Sequence, residues 1–283
     1  MKHTKRLISL LGQQSLIKAP GIYDSLSAVL VERAGFDAAF LSGAGISFSR
    51  LGRPDIGLTT ASEIADVIAA IRDRSALSLI VDMDTGFGGI LNVERTVRVF
   101  EQAGASALQI EDQVFPKRCG HMIGKQIISA AEMVGKIKAA VDSRRHDTLI
   151  FARTDALALE NFDQVLDRAD QYVDAGADGL FIEGPGNVEQ MKIIGAKFGD
   201  RLPLLHNLVE GGVNPLHGAS EMAELKYKIA LYPLALLHAF VPRAEVLLEQ
   251  IFADGHTHQP DNPLVDLDYM NNLLGADDLL RRG

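Results

Sequence analysis

The residues best suited to chemistry gather in one stretch, Gln113-Val114-Phe115-Pro116-Lys117-Arg118-Cys119-Gly120-His121, which holds the only cysteine of the chain. Two cations precede the thiol and a histidine follows it by two positions. A nearby cation favours the thiolate, the reactive form of the side chain. A lone cysteine can also be a small buried hydrophobe. Neighbours as polar as Lys-Arg-Cys-Gly-His belong in a loop, which favours a chemical role for Cys119.

A second set of candidates closes the apolar runs of the chain: Ser42, Asp82, Asp84, Glu111, Asp112, Arg153, Asp155, Glu183, Asn207 and Glu210. Carboxylates gathered in one place repel one another unless a cation offsets them. With one arginine among them, they suggest a hard divalent ion such as Mg²⁺, which takes oxygen ligands and keeps several waters. Asp82 and Asp84 are two apart, so on a strand both point to one face. The same pair also reads as a turn before Thr85-Gly86. Glu111, ending the next run, favours the metal. Gly86, Gly88 and Gly89 fit a phosphate cradle or a tight loop equally well. His238, His256 and His258 are given no role.

These residues need a scaffold that brings strand ends together. One phrase recurs, Ala-Gly followed by an apolar run ending in a polar residue, starting at Ala34, Ala103 and Ala175, about 70 residues apart. Each glycine suits a left-handed helix end. Two βα units of roughly 35 residues fill each interval. Strands are expected at 16–22, 38–42, 77–83, 107–111, 148–153, 179–183, 203–207 and 229–232. They are apolar without clean alternation, as strands buried on both faces are. Thr60 with Glu63 and Ser129 with Glu132 read as capping boxes, and Asn92 as a helix cap. Eight such units predict a (β/α)8 TIM barrel over 1–258, with active-site residues at the C-terminal strand ends. The rival, a doubly wound sheet, lacks a Gly-x-Gly-x-x-Gly after the first strand. From Gln259 a breaker precedes a helical tail, 259–283, expected to pack on the barrel or on a neighbouring subunit.

The chain has 283 residues, 47% of them hydrophobic, with 37 acidic against 28 basic side chains. That balance lacks the basic footprint of a nucleic-acid binder. One cysteine excludes an intramolecular disulfide framework. No apolar run reaches the ~20 residues of a membrane helix, and the basic then apolar N-terminus is too short and interrupted for a signal peptide. A cytoplasmic protein is expected.

Six motifs together resemble the isocitrate lyase/phosphoenolpyruvate phosphonomutase superfamily, nearest to methylisocitrate lyases and 2-alkylmalate lyases. They are Leu41-Ser42-Gly43, Asp82-Met83-Asp84-Thr85-Gly86-Phe87-Gly88, Ile110-Glu111-Asp112-Gln113, Lys117-Arg118-Cys119-Gly120-His121, Ala152-Arg153-Thr154-Asp155-Ala156 and Ala230-Leu231-Tyr232-Pro233. The resemblance implies a barrel with Mg²⁺ or Mn²⁺, a mobile cysteine loop, and a homotetramer that exchanges C-terminal helices. It implies that Asp84 coordinates the metal, with Asp82 and Glu111 acting partly through water. Ser42, Gly43 and Ala44 would hold the keto-acid half of a small di- or tricarboxylate, and Arg153 would bridge its carboxylates. Glu183, Asn207, Lys117, Arg118, Gly120 and His121 would bind or enclose the other half.

Two departures stand out. Phe40 occupies the place of a tyrosine that methylisocitrate lyases carry as a proposed proton carrier, and phenylalanine has no proton to move. The loop continues His121-Met122-Ile123-Gly124-Lys125, where the lyases have His-Arg-Pro-Asn-Lys. The chemistry implied is a metal-assisted retro-aldol cleavage to pyruvate or another 2-keto acid plus a succinate-type carboxylate. Cys119 is then the acid, Arg153 the anion stabiliser, and a metal-bound hydroxide, Glu111 or His121 the base. An oxaloacetate hydrolase or decarboxylase, and a non-catalytic dicarboxylate-binding protein, are the alternatives.

Overall fold

The computed structural model describes residues 2–120, 122–212, 215–216, 218–258 and 263–283. Eight strands alternate with helices. They are β1 (Ile17–Ile22), β2 (Ala38–Leu41), β3 (Ser78–Asp82), β4 (Ala107–Glu111), β5 (Leu149–Thr154), β6 (Gly179–Ile182), β7 (Leu205–Asn207) and β8 (Ile229–Tyr232). The helices are α1 (Lys2–Gln13), α2 (Ser25–Arg33), α3 (Gly43–Ile46), α4 (Ala61–Arg74), α5 (Ile90–Ala103), α6 (Ala130–Ser143), α7 (Phe162–Asp174), α8 (Val188–Phe198), α9 (Ala219–Glu224), α10 (Ala235–Asp254), α11 (Leu267–Leu274) and α12 (Ala276–Leu280). All strand pairs are parallel, in the order β6-β5-β4-β3-β2-β1-β8-β7. A parallel bridge between Leu180 and Leu204, with Leu180 N–H donating to Pro203 O at 3.0 Å, joins the two ends of that order. The fold is a (β/α)8 TIM barrel.

Its interior is filled by Ile17, Ala19, Ala38, Phe40, Ile80, Ala107, Phe151, Phe181, Leu205, Ile229 and Leu231. Leu7 and Leu10 of α1 join the same cluster. The basic and apolar N-terminal stretch is therefore an amphipathic helix whose apolar stripe is buried, the usual driving force for a short helix.

Alternation explains how this core aims the polar strand ends. Positions i and i+2 of a strand share a face. Two residues beyond the inward Ile80, Phe151, Phe181 and Leu205 stand Asp82, Arg153, Glu183 and Asn207, and Gln109 stands likewise before Glu111. Each is carried into the mouth by the side chain that anchors its strand.

Gly35, Gly104 and Gly176 take φ of +87°, +114° and +98°, the left-handed stop expected of the recurring phrase. The Thr60–Glu63 capping box closes in both directions. Ser129 makes only its own half, accepting from Glu132 N–H at 3.1 Å, so the expected box there is a simple cap. Asn92 does not cap α5. Gly89 holds that position, and Asn92 lies inside the helix. The positive φ angles of Gly86, Phe87 and Gly88 turn the chain early and start the helix before Asn92 is reached.

The chain forms two compact units, Met1–Ala235 and Leu236–Gly283. The expected breaker at 259–262 lies outside the described residues. The second unit exposes large apolar side chains, among them Phe240, Leu248, Phe252, Leu267 and Leu280. Among the described residues, no helix is long and apolar enough to cross a membrane.

Candidate active site

Arg153, at the end of β5, is the most crowded charge in the mouth. Its Nε lies 2.8 Å from Asp155 Oδ2 and 3.4 Å from Glu111 Oε2, and its Nη2 lies 3.5 Å from Glu183 Oε2. The guanidinium also stacks over Phe181, 5.0 Å from the ring centre. Burial disfavours its charge, but the three carboxylates outweigh that and hold its pKa well above the ordinary value. Asn207 Nδ2 donates to Glu183 Oε2 at 3.1 Å, completing this side of the mouth.

The opposite side is acidic. Asp84 has φ of +47°, an uncommon conformation for a residue other than glycine. Its N–H donates to Asp82 Oδ1 at 3.1 Å, and its carbonyl accepts from Glu111 N–H at 2.9 Å. Burial, then the charges of Asp82 and Asp55, raise Asp84 to about 7 against the pull of Lys117. Glu111 is raised well above a normal carboxylate, first by burial and then by Asp155 and Asp82. Lys117 Nζ reaches across the mouth to Asp55 Oδ2 at 2.6 Å and Asp84 Oδ1 at 2.9 Å. Burial acts against its charge, yet the carboxylates around it keep its pKa high.

The residues present fit a hard divalent cation. Asp84 Oδ1 and Glu111 Oε1 are buried and make no hydrogen bond among the described residues. Asp84 Oδ1 has the ammonium of Lys117 beside it as an ion pair without a directed bond. A Cβ on Gly43 would sit 3.0 Å from Asp82 Oδ2 and 3.2 Å from Asp84 Oδ1, so a bare glycine keeps that space open. Among the described residues, no three acidic, histidine or cysteine side chains converge on one point as they stand. Lys117 supplies the positive charge between the carboxylates instead.

A cavity of about 40 Å³ lies between the two sides, lined by Ser42, Ala44, Asp55, Glu111, Cys119 and Arg153, among others. That is far below the ~300 Å³ of a small ligand pocket, so the space left between the side chains is narrow. Half-buried Cys119 is held by its N–H, which donates to Asp55 O at 3.0 Å. Gly120 is pressed onto the opposite wall, where a Cβ would fall 2.3 Å from Arg153 Nη2. Beyond Gly120 and Glu183 a second cavity of about 520 Å³ opens, walled in part by Met122, Ile123, Leu157 and Leu159.

Most expected site residues meet here. Ser42 lines the cavity while its Oγ caps α3 by accepting from Gly45 N–H. Arg118 does not line the cavity. It is exposed, and its guanidinium donates to Ile123 O at 2.9 Å. His121, expected to be catalytic, lies outside the described residues. Asp112 turns away from the mouth toward α7. Asp55 is the main residue that strand-end reasoning missed. It sits in the long connection after β2, and only Pro54 before it hints at a fixed turn. Lys125, whose Nζ lies 2.9 Å from Asp155 Oδ1, was also missed.

Residues 7–251 match the family model described as phosphoenolpyruvate phosphomutase. The chain belongs to the phosphoenolpyruvate mutase/isocitrate lyase superfamily. It is 41% identical over 280 residues to 2,3-dimethylmalate lyase of Eubacterium barkeri, covering 98% of this chain and 96% of the relative. It is 42% identical to 2-methylisocitrate lyase of Aeropyrum pernix, covering 98% and 88%. In structure it is similar to an oxaloacetate acetylhydrolase in complex with 3,3-difluorooxalacetate, with a TM-score of 0.93, 33% identity and coverage of 99% and 95%. Within this superfamily the chain is a carbon–carbon lyase.

Proposed function

We propose that this lyase cleaves a 2-alkylmalate or a 2-methylisocitrate-like acid to a 2-keto acid, pyruvate or larger, and a second carboxylate, a succinate-type one from the tricarboxylate and a monocarboxylate from the alkylmalate. The observation that carries the reading is that the only thiol of the chain and the buried guanidinium of Arg153 line one narrow cavity. An anion formed there meets a fixed positive charge and a proton donor together.

The substrate 2-hydroxyl loses its proton and becomes the keto oxygen as the C2–C3 bond breaks. The bonding pair moves to C3 and delocalises into the attached carboxylate. Arg153 stabilises that charge where it develops, in a water-poor site. Cys119 Sγ–H then gives its proton to C3. A divalent cation held by Asp84, with Asp82 and Glu111, would act as a Lewis acid toward the 2-hydroxyl and the adjacent carboxylate. Phe40 lines the cavity and has no proton to carry. Glu111 therefore takes the hydroxyl proton in this reading, because its Oε1 is buried and unbonded. The small cavity requires the Cys119 stretch to withdraw for entry and close for reaction, which excludes water.

The test is kcat/KM for 2-methylisocitrate, 2,3-dimethylmalate, isocitrate and oxaloacetate, with Mg²⁺ and with chelator. Absence of cleavage of every substituted malate and isocitrate defeats the reading. The structural match to oxaloacetate acetylhydrolase supports a second reading, selected if oxaloacetate alone turns over. We also infer a homotetramer in the cytoplasm. The exposed apolar side chains of Leu236–Gly283 support subunit contacts, and light scattering checks the stoichiometry.

A further inference from the structure

Lys125 stands outside the residues assigned so far, yet its side chain is only 8% exposed. Its ammonium makes two short bonds, to Gly120 O at 2.6 Å and Asp155 Oδ1 at 2.9 Å. An ammonium is seldom this buried without partners, because removing it from water is costly. Both partners matter to the site. Asp155 is fully buried and holds Arg153 through both its oxygens, Nε to Oδ2 at 2.8 Å and Nη2 to Oδ1 at 3.1 Å. Gly120 directly follows Cys119 and packs against the same guanidinium.

The surrounding charges favour a second cation at this point. Asp155, Glu111 and Glu183 crowd one guanidinium, so the cluster around Arg153 is net negative without Lys125. Asp155 is itself tied to the barrel, its N–H donating to Asp112 Oδ1 at 2.9 Å. Lys125 thus joins a fixed carboxylate of the barrel to the backbone beside the thiol. The other end of the stretch has its own brace. Gln113 accepts from Arg118 N–H at 3.0 Å and donates to Arg118 O at 2.8 Å. Between these two holds, Cys119 faces the cavity.

We propose that Lys125 is a positioning residue: its ammonium pins the backbone at Gly120 to Asp155 and so sets the thiol of Cys119 over the Arg153 side of the cavity. The pin exists only while the stretch is closed, since withdrawal of Gly120 breaks one of its two bonds. The inference rests on the reading that Cys119 and Arg153 serve one reaction, but its test uses no turnover. A protein inactive on every substituted malate would defeat the proposed function and leave the pin standing.

The experiment alkylates Cys119 in the whole protein with iodoacetamide and follows the single adduct by intact mass. Lys125→Met should label at least tenfold faster than the parent protein at a temperature where circular dichroism shows both proteins folded. Lys125→Arg, which keeps a cation for both acceptors, should restore slow labelling. Labelling of Lys125→Met at the parent rate overturns the proposal, as does fast labelling accompanied by an equal rise in Lys125→Arg. Should Lys125→Met fail to fold, Asp155→Asn decides with the same readout. It keeps the acceptor's shape and removes its charge, so parent-like labelling there also overturns the pin.

Discussion

Glu111 and Asp112 are adjacent in the chain, equally buried, and surrounded quite differently. Glu111 faces the mouth, where, among the described residues, one oxygen pairs with Arg153 at 3.4 Å and the other makes no hydrogen bond. Asp112 turns toward α7 and is fully engaged. Its oxygens accept from Thr154 Oγ1 at 2.7 Å, Tyr172 OH at 2.8 Å and Asp155 N–H at 2.9 Å, with Arg168 at 3.6 Å. Burial raises both pKa values, but for Asp112 the donated hydrogen bonds oppose it. A carboxylate with free lone pairs in a dry site is free to take a proton or a metal. One whose lone pairs are all engaged can only hold structure. The comparison separates a carboxylate with an unbonded oxygen from a fully bonded one at one peptide bond.

The sharpest break concerns the unsatisfied side. Asp84→Ala, or chelator on the parent protein, should reduce turnover to background, and added Mg²⁺ should raise the thermal midpoint of the parent but not of Asp84→Ala. Full activity in metal-free protein removes the cation from the site. Next, Glu111→Gln should lower kcat/KM by about 10²–10⁴-fold, the range of a lost acid–base group. Its stability should hold or rise, since a neutral amide is cheaper to bury than a carboxylate with one oxygen left without a hydrogen bond. Asp112→Asn should do the reverse and destabilise by about 1–3 kcal/mol in urea titration, through donors left unmatched. Matching effects from the two variants would dissolve the distinction.

Cys119→Ser should lower the cleavage rate by at least ~10²-fold while substrate binding persists. A parent-like rate would remove the thiol from the chemistry. A smaller effect is expected at Ala44, which lines the cavity. Ala44→Trp should depress kcat/KM for methylated substrates relative to isocitrate by around tenfold, within the range a pocket reaches per methylene. Equal depression of both would show that the indole blocks the site indiscriminately.

The smallest effect belongs to a third kind of carboxylate, on the outside of the barrel. Asp170 on α7 pairs with Lys197 at 2.6 Å and Arg201 at 2.5 Å, partly in solvent. Partial burial works against its charge, and the two cations lower its pKa nonetheless. A lowered folded-state pKa contributes stability that is fully present above the unfolded value of ~3.9 and is lost as pH falls through the folded one. Asp170→Asn should therefore cost about 0.2–1 kcal/mol at pH 7, as exposed pairs do, and the cost should vanish once the pH lies below the lowered folded-state value. A cost independent of pH would mean that shape rather than charge matters there.

The strands, the three glycine stops and the strand-end places of Asp82, Glu111, Arg153, Glu183 and Asn207 were legible in the sequence, because each follows from an apolar run and the polar residue that closes it or from a single backbone angle. The loop position of Cys119 was legible too, as a run of polar neighbours, and Cys119 lines the cavity. Tertiary structure alone decided the rest. Asn92 reads as a cap by type, but the preceding turn had already started the helix. Asp112 shares its motif with Glu111, and only the packing of Tyr172 and Arg168 shows which of the two is satisfied. Asp55 and Lys125 lie 62 residues before Lys117 and 30 before Asp155, respectively, in the pairs they form. Strand alternation is local and therefore readable along the chain. The partners of a long connection are chosen when the barrel closes, and they depend on distances between residues that no spacing in the sequence encodes.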